Sequence, residues 1–120
     1  MGSLLQQKVP IAVLTNGALN TKTVKYISAG ADFVIAVDDA GIAYSWGDNT
    51  NGDGGQNSAT QYFDNPQYVY AADVLSGQKI VMVSSGSSHT LALSDKGRVF
   101  AWGGNANGNF LIYFIFFYEN

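Results

Sequence analysis

The sequence contains two copies of one segment. When the 120-residue chain is shifted on itself by 56 positions, the copies align without a gap. Between residues 24 and 52, ten of twenty-nine positions are identical to their partners, and the only two tryptophans, Trp46 and Trp102, coincide. A fixed period of this kind is typical of repeat architectures, in which one unit cannot bury its apolar face alone. We therefore expect both copies to adopt the same fold.

Each copy has the pattern of a small antiparallel sheet. Residues 33–37 are all apolar, which suits a strand covered on both faces. Residues 38–41 form a turn signal that ends in glycine, and residues 42–46 alternate large and small side chains, as a pleated strand does. The second copy repeats this plan at 89–93, 94–97 and 98–102.

Further apolar stretches at 24–27 and 80–83 predict one more strand in each copy, and residues 66–74 predict an edge strand. No segment combines a helical period with capping residues. Each copy should therefore hold three or four short strands. Because so small a sheet has two apolar faces, it must be covered by another like it.

Radial stacking of such sheets gives a β-propeller, in which only short edges stay open. A β-sandwich is the competing architecture, but a sandwich does not require a fixed internal period. We predict an all-β chain with two antiparallel propeller blades of an incomplete ring. Its expected parts are an N-terminal tail at 1–9, a first repeat at 10–65, a truncated second repeat at 66–109, and an atypical apolar tail at 110–120.

Composition excludes several classes of site. The net charge is −3 and no two of the six Lys and Arg residues are adjacent, which argues against direct nucleic-acid binding. The absence of cysteine excludes disulfides and thiol chemistry, and the single histidine, His89, excludes a multi-histidine metal site within one chain. We expect no metal and no cofactor.

Nothing in the sequence indicates a membrane protein. The longest apolar run, at 110–118, has nine residues, whereas a spanning helix needs about twenty. The N-terminus also lacks the features of a secretory signal. We therefore expect a soluble protein of the cytoplasm or the nucleus.

The two copies resemble the regulator-of-chromosome-condensation repeat. That repeat runs Gly, two variable residues, His-Thr, an apolar strand, Asp-x-Gly, an aromatic residue, x, Trp-Gly-x-Asn, x, x, Gly. The first copy departs from it where Phe33 and Val34 replace His-Thr, and in the stretch after Gly52, where Gln-Leu-Gly is usual. The positions that the resemblance marks as structural are Gly30, Gly41, Trp46, Gly47, Asn49, Gly52, Gly86, His89, Gly97, Trp102, Gly103, Asn105 and Gly108.

The resemblance implies a propeller of usually seven four-stranded blades that serves as a docking platform. Its members include an exchange factor for the small GTPase Ran, parts of large ubiquitin ligases and a plant ultraviolet receptor, so the fold does not fix the function. We expect a non-catalytic protein-interaction module, with guanine-nucleotide exchange on a Ran-like GTPase as the alternative. A ubiquitin ligase would need a ligase domain encoded downstream. Light sensing is not supported, because Ala31 and Ser87 stand where the receptor has tryptophans.

Two polar residues are candidates for partner binding. In the exchange factor, polar residues of the loop that precedes the His-Thr strand face the GTPase, and the matching positions are Asp32 and Ser88. A solvated turn residue is the simpler alternative for Asp32. His89 is the only candidate for a general base, but the family repeats a histidine there in blade after blade. This recurrence implies a structural role, and we expect no catalytic residue.

The glycine-rich segment 49–55 has no GK[ST] signature, no following helix and no Glu at the twelfth calcium-loop position. Asp48 and Asp53 could touch a cation, but the segment is typical of a connection between blades, and we expect it to be flexible.

The last residues break the repeat pattern. Every residue of 109–120 except Glu119 has a codon made of A and T alone, and six of the sixteen aromatic residues lie in 110–120. We interpret this tail as a gene-model artefact, and comparison of transcript with genomic sequence would test that. The alternative is a genuine apolar edge strand. Because two blades cannot close a ring, residues 1–120 should need further blades or self-association for stability.

Overall fold

The computed structural model describes residues 8–13, 17–50, 52–56, 58–71 and 74–104. Within them, seven strands form two antiparallel sheets. The first sheet has the order β1 (Val24–Ala29), β2 (Phe33–Asp38), β3 (Ala43–Asp48), β4 (Tyr62–Tyr68), and the second β5 (Ile80–Ser85), β6 (His89–Ser94), β7 (Val99–Gly103). The all-β prediction is confirmed. None of the described segments forms a helix that is long and apolar enough to cross a membrane.

The two sheets share one hydrogen-bonding plan. β1 pairs with β2, and β5 with β6, in the same register, with an irregularity at the start of the first strand of each sheet. The turn glycines Gly41 and Gly97 have φ angles of 84° and 81°, a region in which glycine carries no steric penalty. The amide of Asp39 donates to Thr23 O, and 56 residues later that of Asp95 donates to Lys79 O, both at 2.9 Å.

Strand β4 differs in position from the predicted edge strand at 66–74. It begins at Tyr62, pairs with β3 and ends at Tyr68. It therefore crosses the boundary between residues 65 and 66 that the sequence period predicts. Pro66 is compatible with this strand because β4 is an edge strand, where one missing amide donor is tolerated. The blade and the sequence repeat are thus offset from each other.

The core lies between the two sheets. The first sheet contributes one face of β2 and β3, and the second contributes the facing side of β5, β6 and β7. We call this contact region between the two sheets the joint. Side chains alternate between faces along a strand, and the face of β3 that is turned toward the joint carries the small residue Ala43. The buried residues of this cluster are Val37, Ala43, Val69, Leu75, Ile80, Ala92 and Phe100, with Val83 and Trp102 packed against them.

Residues at equivalent positions of the two sheets differ in burial, because the two sheets turn opposite faces toward each other. Ile35 is fully buried in the joint, whereas its equivalent Leu91 is 38% exposed. Conversely, Val83 packs against the core cluster, whereas its equivalent Ile27 is 66% exposed. Each sheet therefore buries one face against the other. The outer faces of the pair keep apolar side chains at the surface, as in an open ring.

The turns that the structure describes lie at two ends of the sheets, because the strands are antiparallel. The hairpin end carries the turns 38–42 and 94–98 and the segments 17–23 and 74–79. The loop end carries the loops 30–32 and 86–88 and the connection 48–61. Backbone hydrogen bonds join the blades at both ends: Ile80 N donates to Gly41 O at 3.0 Å, and Ala31 N donates to Ser87 O at 3.2 Å.

Candidate functional site

The loop end brings together the two residues expected to contact a partner. Asp32 is exposed in the loop between β1 and β2, and Ser88 is half-buried at the equivalent position between β5 and β6. The hydrogen bond from Ala31 N to Ser87 O links the two loops directly. Asp32 and Ser88 therefore lie on one continuous surface.

The backbone beneath Asp32 is firmly held. Asp48 N donates to Asp32 O at 2.8 Å, and Gly30 N donates to Phe33 O at 2.8 Å. Gly47 makes this close approach possible: it has a φ of 101°, and a Cβ there would lie 2.8 Å from Phe33 Cα. A partner that binds the Asp32 carboxylate would consequently order little more than the side chain itself, which favours affinity.

The loop glycines make room for an aromatic ring. A Cβ on Gly86 would lie 2.5 Å from His89 Nε2, and a Cβ on Gly30 would lie 2.7 Å from Phe33 Cδ1. His89 and Phe33 thus occupy the same place under the same loop. Because phenylalanine fills this place in the first blade, the position does not require an imidazole.

The connection after β3 differs from the expected flexible loop. The Asn49 side chain is 5% exposed. Its Nδ2 donates to the carbonyls of Ser58 at 3.2 Å and Thr60 at 2.8 Å, while its Oδ1 accepts from Gly54 N at 3.1 Å. A carboxamide is the side chain that offers two donors and an acceptor in this arrangement. Asn49 therefore clamps the two sides of the connection together.

The clamped connection forms part of the joint between the blades. Trp102 Nε1 donates to Asp53 O at 3.0 Å. Gly55 lies against the same indole with a φ of 65°, and a Cβ there would lie 2.6 Å from Trp102 Nε1. Ser45 Oγ donates to Gly54 O at 2.7 Å, which fixes the segment on the first blade. Trp46, the equivalent of Trp102, is half-buried in β3.

The two carboxylates considered for a cation have different surroundings. Asp48 Oδ1 accepts hydrogen bonds from the amide and the hydroxyl of Thr50, at 3.2 and 2.5 Å. Asp53 is 1% exposed and lies in the joint. Among the residues that the structure describes, no three His, Cys, Asp or Glu side chains are grouped to hold a metal ion. Asn105 and Gly108 of the repeat pattern, and the tail 110–120, lie outside the described residues.

A buried polar pair at the hairpin end was not foreseen from the sequence. Asp38 Oδ2 accepts a hydrogen bond from the Tyr44 hydroxyl at 2.7 Å, and Oδ1 accepts from the amides of Ala40 and Ile42. Burial raises the pKa of Asp38, but the Tyr44 hydroxyl, the two amides and Lys22 together bring that pKa below its ordinary value. Burial and the Asp38 carboxylate raise the pKa of Tyr44.

The Asp38 and Tyr44 pair can be recognised in the sequence when the two copies are compared. The second blade has Ser94 in place of Asp38 and Phe100 in place of Tyr44, so both partners change together. Ser94 Oγ accepts from Arg98 N at 3.2 Å, which keeps the turn contact without a carboxylate. A concerted change of this kind indicates two side chains in contact.

We therefore expect the pair to be strongly coupled. Tyr44→Phe should lower the free energy of unfolding by about 1–3 kcal/mol, because a buried acceptor loses its donor. Asp38→Ser should have an effect of similar size, and the double variant, which reproduces the second blade, should lose clearly less than the sum. Urea unfolding of the four proteins measures this, and additive effects would contradict it.

Acid should weaken the wild type through the same pair. Since the pKa of Asp38 is lower in the folded chain than its ordinary 3.8, its contribution is complete above that value and is lost as the pH falls through the folded pKa. The double variant should lack this part of the acid dependence. Unfolding measured at pH 7 and at about pH 3 distinguishes the two proteins.

Family models identify the repeat. A model described as "Regulator of chromosome condensation (RCC1) repeat" matches residues 24–53 and 80–109, and a second model with the same description matches residues 40–93. The chain is 38% identical over 90 residues to human E3 ubiquitin-protein ligase HERC2, covering 75% of this chain and 2% of that protein. It is 38% identical over 89 residues to serine/threonine-protein kinase Nek8 of Danio rerio, covering 72% of this chain and 12% of the kinase. The chain thus spans a small part of these relatives.

Solved structures show the same architecture. Human WBSCR16 matches with a TM-score of 0.65 at 22% identity, over 72% of this chain and 21% of that one. Prp20p from Saccharomyces cerevisiae, whose structure is described together with its binding to Gsp1p and histones, matches with a TM-score of 0.58 at 25% identity, over 67% of this chain and 19% of that one. With two equivalent sheets and a repeat model matched twice, the chain belongs to the regulator-of-chromosome-condensation repeat family and contains two of its β-propeller blades.

Proposed function

We propose that the two blades are a non-catalytic protein-interaction module within a longer propeller, and that the loop end presents Asp32 to a basic surface of a protein partner. The observation that carries this proposal is the charge of the loop end. Asp32 is exposed there, Asp48 is half-buried and Asp53 is buried, and the loop end carries no described Lys or Arg. An exposed carboxylate on a held backbone is suited to pair with Lys or Arg of a partner.

The outer faces of the pair support a longer propeller. Ile27 and Leu91 are exposed although their equivalents Val83 and Ile35 pack in the joint. Exposed apolar side chains on a sheet face favour a covering surface. We propose that further blades, or self-association of this chain, cover these two faces.

Guanine-nucleotide exchange on a Ran-like GTPase is a second candidate function. Prp20p is described with its binding to Gsp1p, and Asp32 and Ser88 lie on the loops that the family resemblance places against a GTPase. Exchange would act by wedging these loops against the phosphate and switch regions of the GTPase, without covalent chemistry. This candidate function would use the same loop end as the proposed docking.

Reversing the charge of Asp32 tests both functions. The variant Asp32→Lys in the full-length protein should lose, by about tenfold or more, the binding of partners that depend on a carboxylate at this position. Asp39→Lys is the matched control, because Asp39 is also exposed and lies at the hairpin end. Quantitative mass spectrometry of the proteins that each variant binds gives the comparison.

Two results decide between the functions. Partners bound equally by the wild type and both variants would overturn the proposed loop-end docking. Acceleration of labelled-GDP release from Ran by the full-length protein, lost in Asp32→Lys and kept in Asp39→Lys, would establish the exchange activity. Without acceleration, docking alone remains.

A further inference from the structure

The fold gathers basic residues that are scattered in the sequence. Lys22, Lys25, Lys79 and Lys96 are exposed and Arg98 is half-buried, and all five lie at the hairpin end. Every described Lys and Arg except Lys8 is in this group. Among the residues that the structure describes, the acidic ones at the same end are Asp38, Asp39 and Asp95, of which Asp38 is buried.

The two ends are electrostatically separate. The strands have five to seven residues, and at about 3.3 Å per residue they hold the ends roughly 17–23 Å apart. That distance is at least twice the Debye length of about 8 Å at physiological ionic strength. The net charge of −3 therefore describes neither end, and a partner at the hairpin end meets a basic surface.

Lys22 and Lys79 flank one turn. Lys22 lies close enough to Asp38 to help lower the pKa of that carboxyl. Lys79 lies on the other side, since a Cβ on Gly41 would be 2.9 Å from Lys79 Cα. Because both Asp38 oxygens accept hydrogen bonds from within the turn and from Tyr44, this carboxylate is turned away from the solvent that the two lysines share.

A cavity of about 310 Å³ is lined by Lys22, and Lys79 stands in the chain between two further lining residues, Gln78 and Ile80. Its wall is mainly apolar, and Tyr68 and Ile42 are 54% and 40% exposed, so the cavity is accessible. Ligand pockets begin at about 300 Å³, which suits one large side chain rather than a cofactor. The lining residues that matter here are Lys22, Ile42, Tyr44, Tyr68, Leu75 and Gln78.

We propose that the hairpin end is a second docking surface, which binds an acidic peptide segment containing one large apolar side chain. The apolar side chain enters the cavity, and the carboxylates of the peptide lie against Lys22 and Lys79. This surface is separate from the loop end and does not depend on the function proposed there.

A nucleic acid fits the same surface less well. Its phosphodiester backbone offers no apolar group for the cavity, and affinity for it rests on neutralised phosphates. The apolar cavity therefore favours a peptide that carries an apolar side chain.

The test uses the full chain and a fluorescein-labelled twelve-residue peptide of Asp and Glu with one central Phe. We expect saturable binding by fluorescence anisotropy, which weakens at least tenfold when the Phe is replaced by Ser and weakens as salt is raised. Lys22→Glu and Lys79→Glu should each weaken binding at least fivefold. Lys8→Glu, the same charge change at an exposed residue that belongs to none of the segments of the hairpin end, should leave it within twofold.

The cavity is tested separately. Ala71 lines it and is exposed, so Ala71→Trp should block the apolar anchor and abolish binding without disturbing the core. Circular dichroism identifies any variant that fails to fold, and Lys22→Gln and Lys79→Gln then replace the reversals. Equal binding by Lys22→Glu and Lys8→Glu would overturn the proposal.

A twelve-base-pair DNA duplex is the competitor. Displacement of the peptide by the duplex, with a duplex affinity that Ala71→Trp leaves unchanged, would assign the surface to nucleic acid and overturn the peptide proposal. Asp32→Lys should not weaken peptide binding, because Asp32 lies at the other end. Failure at one end therefore leaves the proposal for the other end standing.

Discussion

Replacing Gly55 with alanine should lower the free energy of unfolding by about 2–5 kcal/mol. Gly55 has a φ of 65°, a conformation that costs a non-glycine residue about 1–2 kcal/mol. Its new Cβ would also lie 2.6 Å from Trp102 Nε1. To avoid this contact, the indole or the loop must shift, and overpacking of this kind costs about 1–3 kcal/mol more. The shift would also strain the hydrogen bond from Trp102 to Asp53 O.

Gly52→Ala separates the steric effect from the backbone effect. Gly52 has a similar φ of 76°, but a Cβ there would meet nothing within 4 Å. Its replacement should therefore cost only the conformational part, about 1–2 kcal/mol. Denaturant unfolding followed by circular dichroism measures both variants. If both variants lose the same free energy of unfolding, the close packing of Gly55 against Trp102 does not stabilise the joint between the blades.

The sequence predicts the two sheets on either side of this joint but not the contacts within it. The 56-residue period, with Trp46 and Trp102 in register, predicts two equivalent antiparallel sheets, and both are present. The period also implies that Trp46 and Trp102 have equivalent places. It does not reveal that Trp102 binds a loop carbonyl of the first blade, because that contact joins residues 49 positions apart.

The bounds of a blade are a second feature that the sequence does not predict, as strand β4 shows. A repeat can be divided at any point of its period, so the alignment alone does not tell where a blade ends. The strand crosses the division at 65 and 66 because its pairing with β3, from Asp48 with Tyr62 to Tyr44 with Tyr68, decides its position. Pairing partners are a property of the folded sheet, and edge strands carry a weak apolar pattern.

The two charged ends could not be read from composition. Lys22 and Lys79 are 57 positions apart in the sequence, and neither belongs to a run of basic residues. Antiparallel strands bring every second turn to one end, so charges that alternate along the chain are sorted in space. The Asp38 and Tyr44 pair was equally hidden within one copy, although the joint change to Ser94 and Phe100 marks it.

Asn49→Asp should strongly destabilise the fold, although only one atom of the side chain changes its element. The substitution keeps the shape of the side chain but replaces the donor of two hydrogen bonds by an oxygen. The carboxylate would face the carbonyl oxygens of Ser58 and Thr60, and only Gly54 N would still donate to it. An uncompensated buried charge of this kind costs about 3–5 kcal/mol.

Asn20→Asp is the matched control, because Asn20 is exposed and undergoes the same chemical change. Its effect should stay within about 0.5 kcal/mol, as for most surface substitutions. Urea unfolding of both variants and the wild type at pH 7 makes the comparison. A loss of similar size in both variants would mean that the Asn49 side chain does not clamp the connection.

Acid should partly rescue Asn49→Asp. Burial and the facing carbonyl oxygens raise the pKa of the new carboxyl in the folded chain, whereas in the unfolded chain it is ordinary. The folded state then binds more protons than the unfolded state, so the stability of the variant rises relative to the wild type as the pH falls. The protonated carboxyl regains one donor and can bond one of the two carbonyls. The gap between variant and wild type should therefore narrow between pH 7 and about pH 5, and a gap that widens on acidification would show that the two carbonyls do not face this side chain.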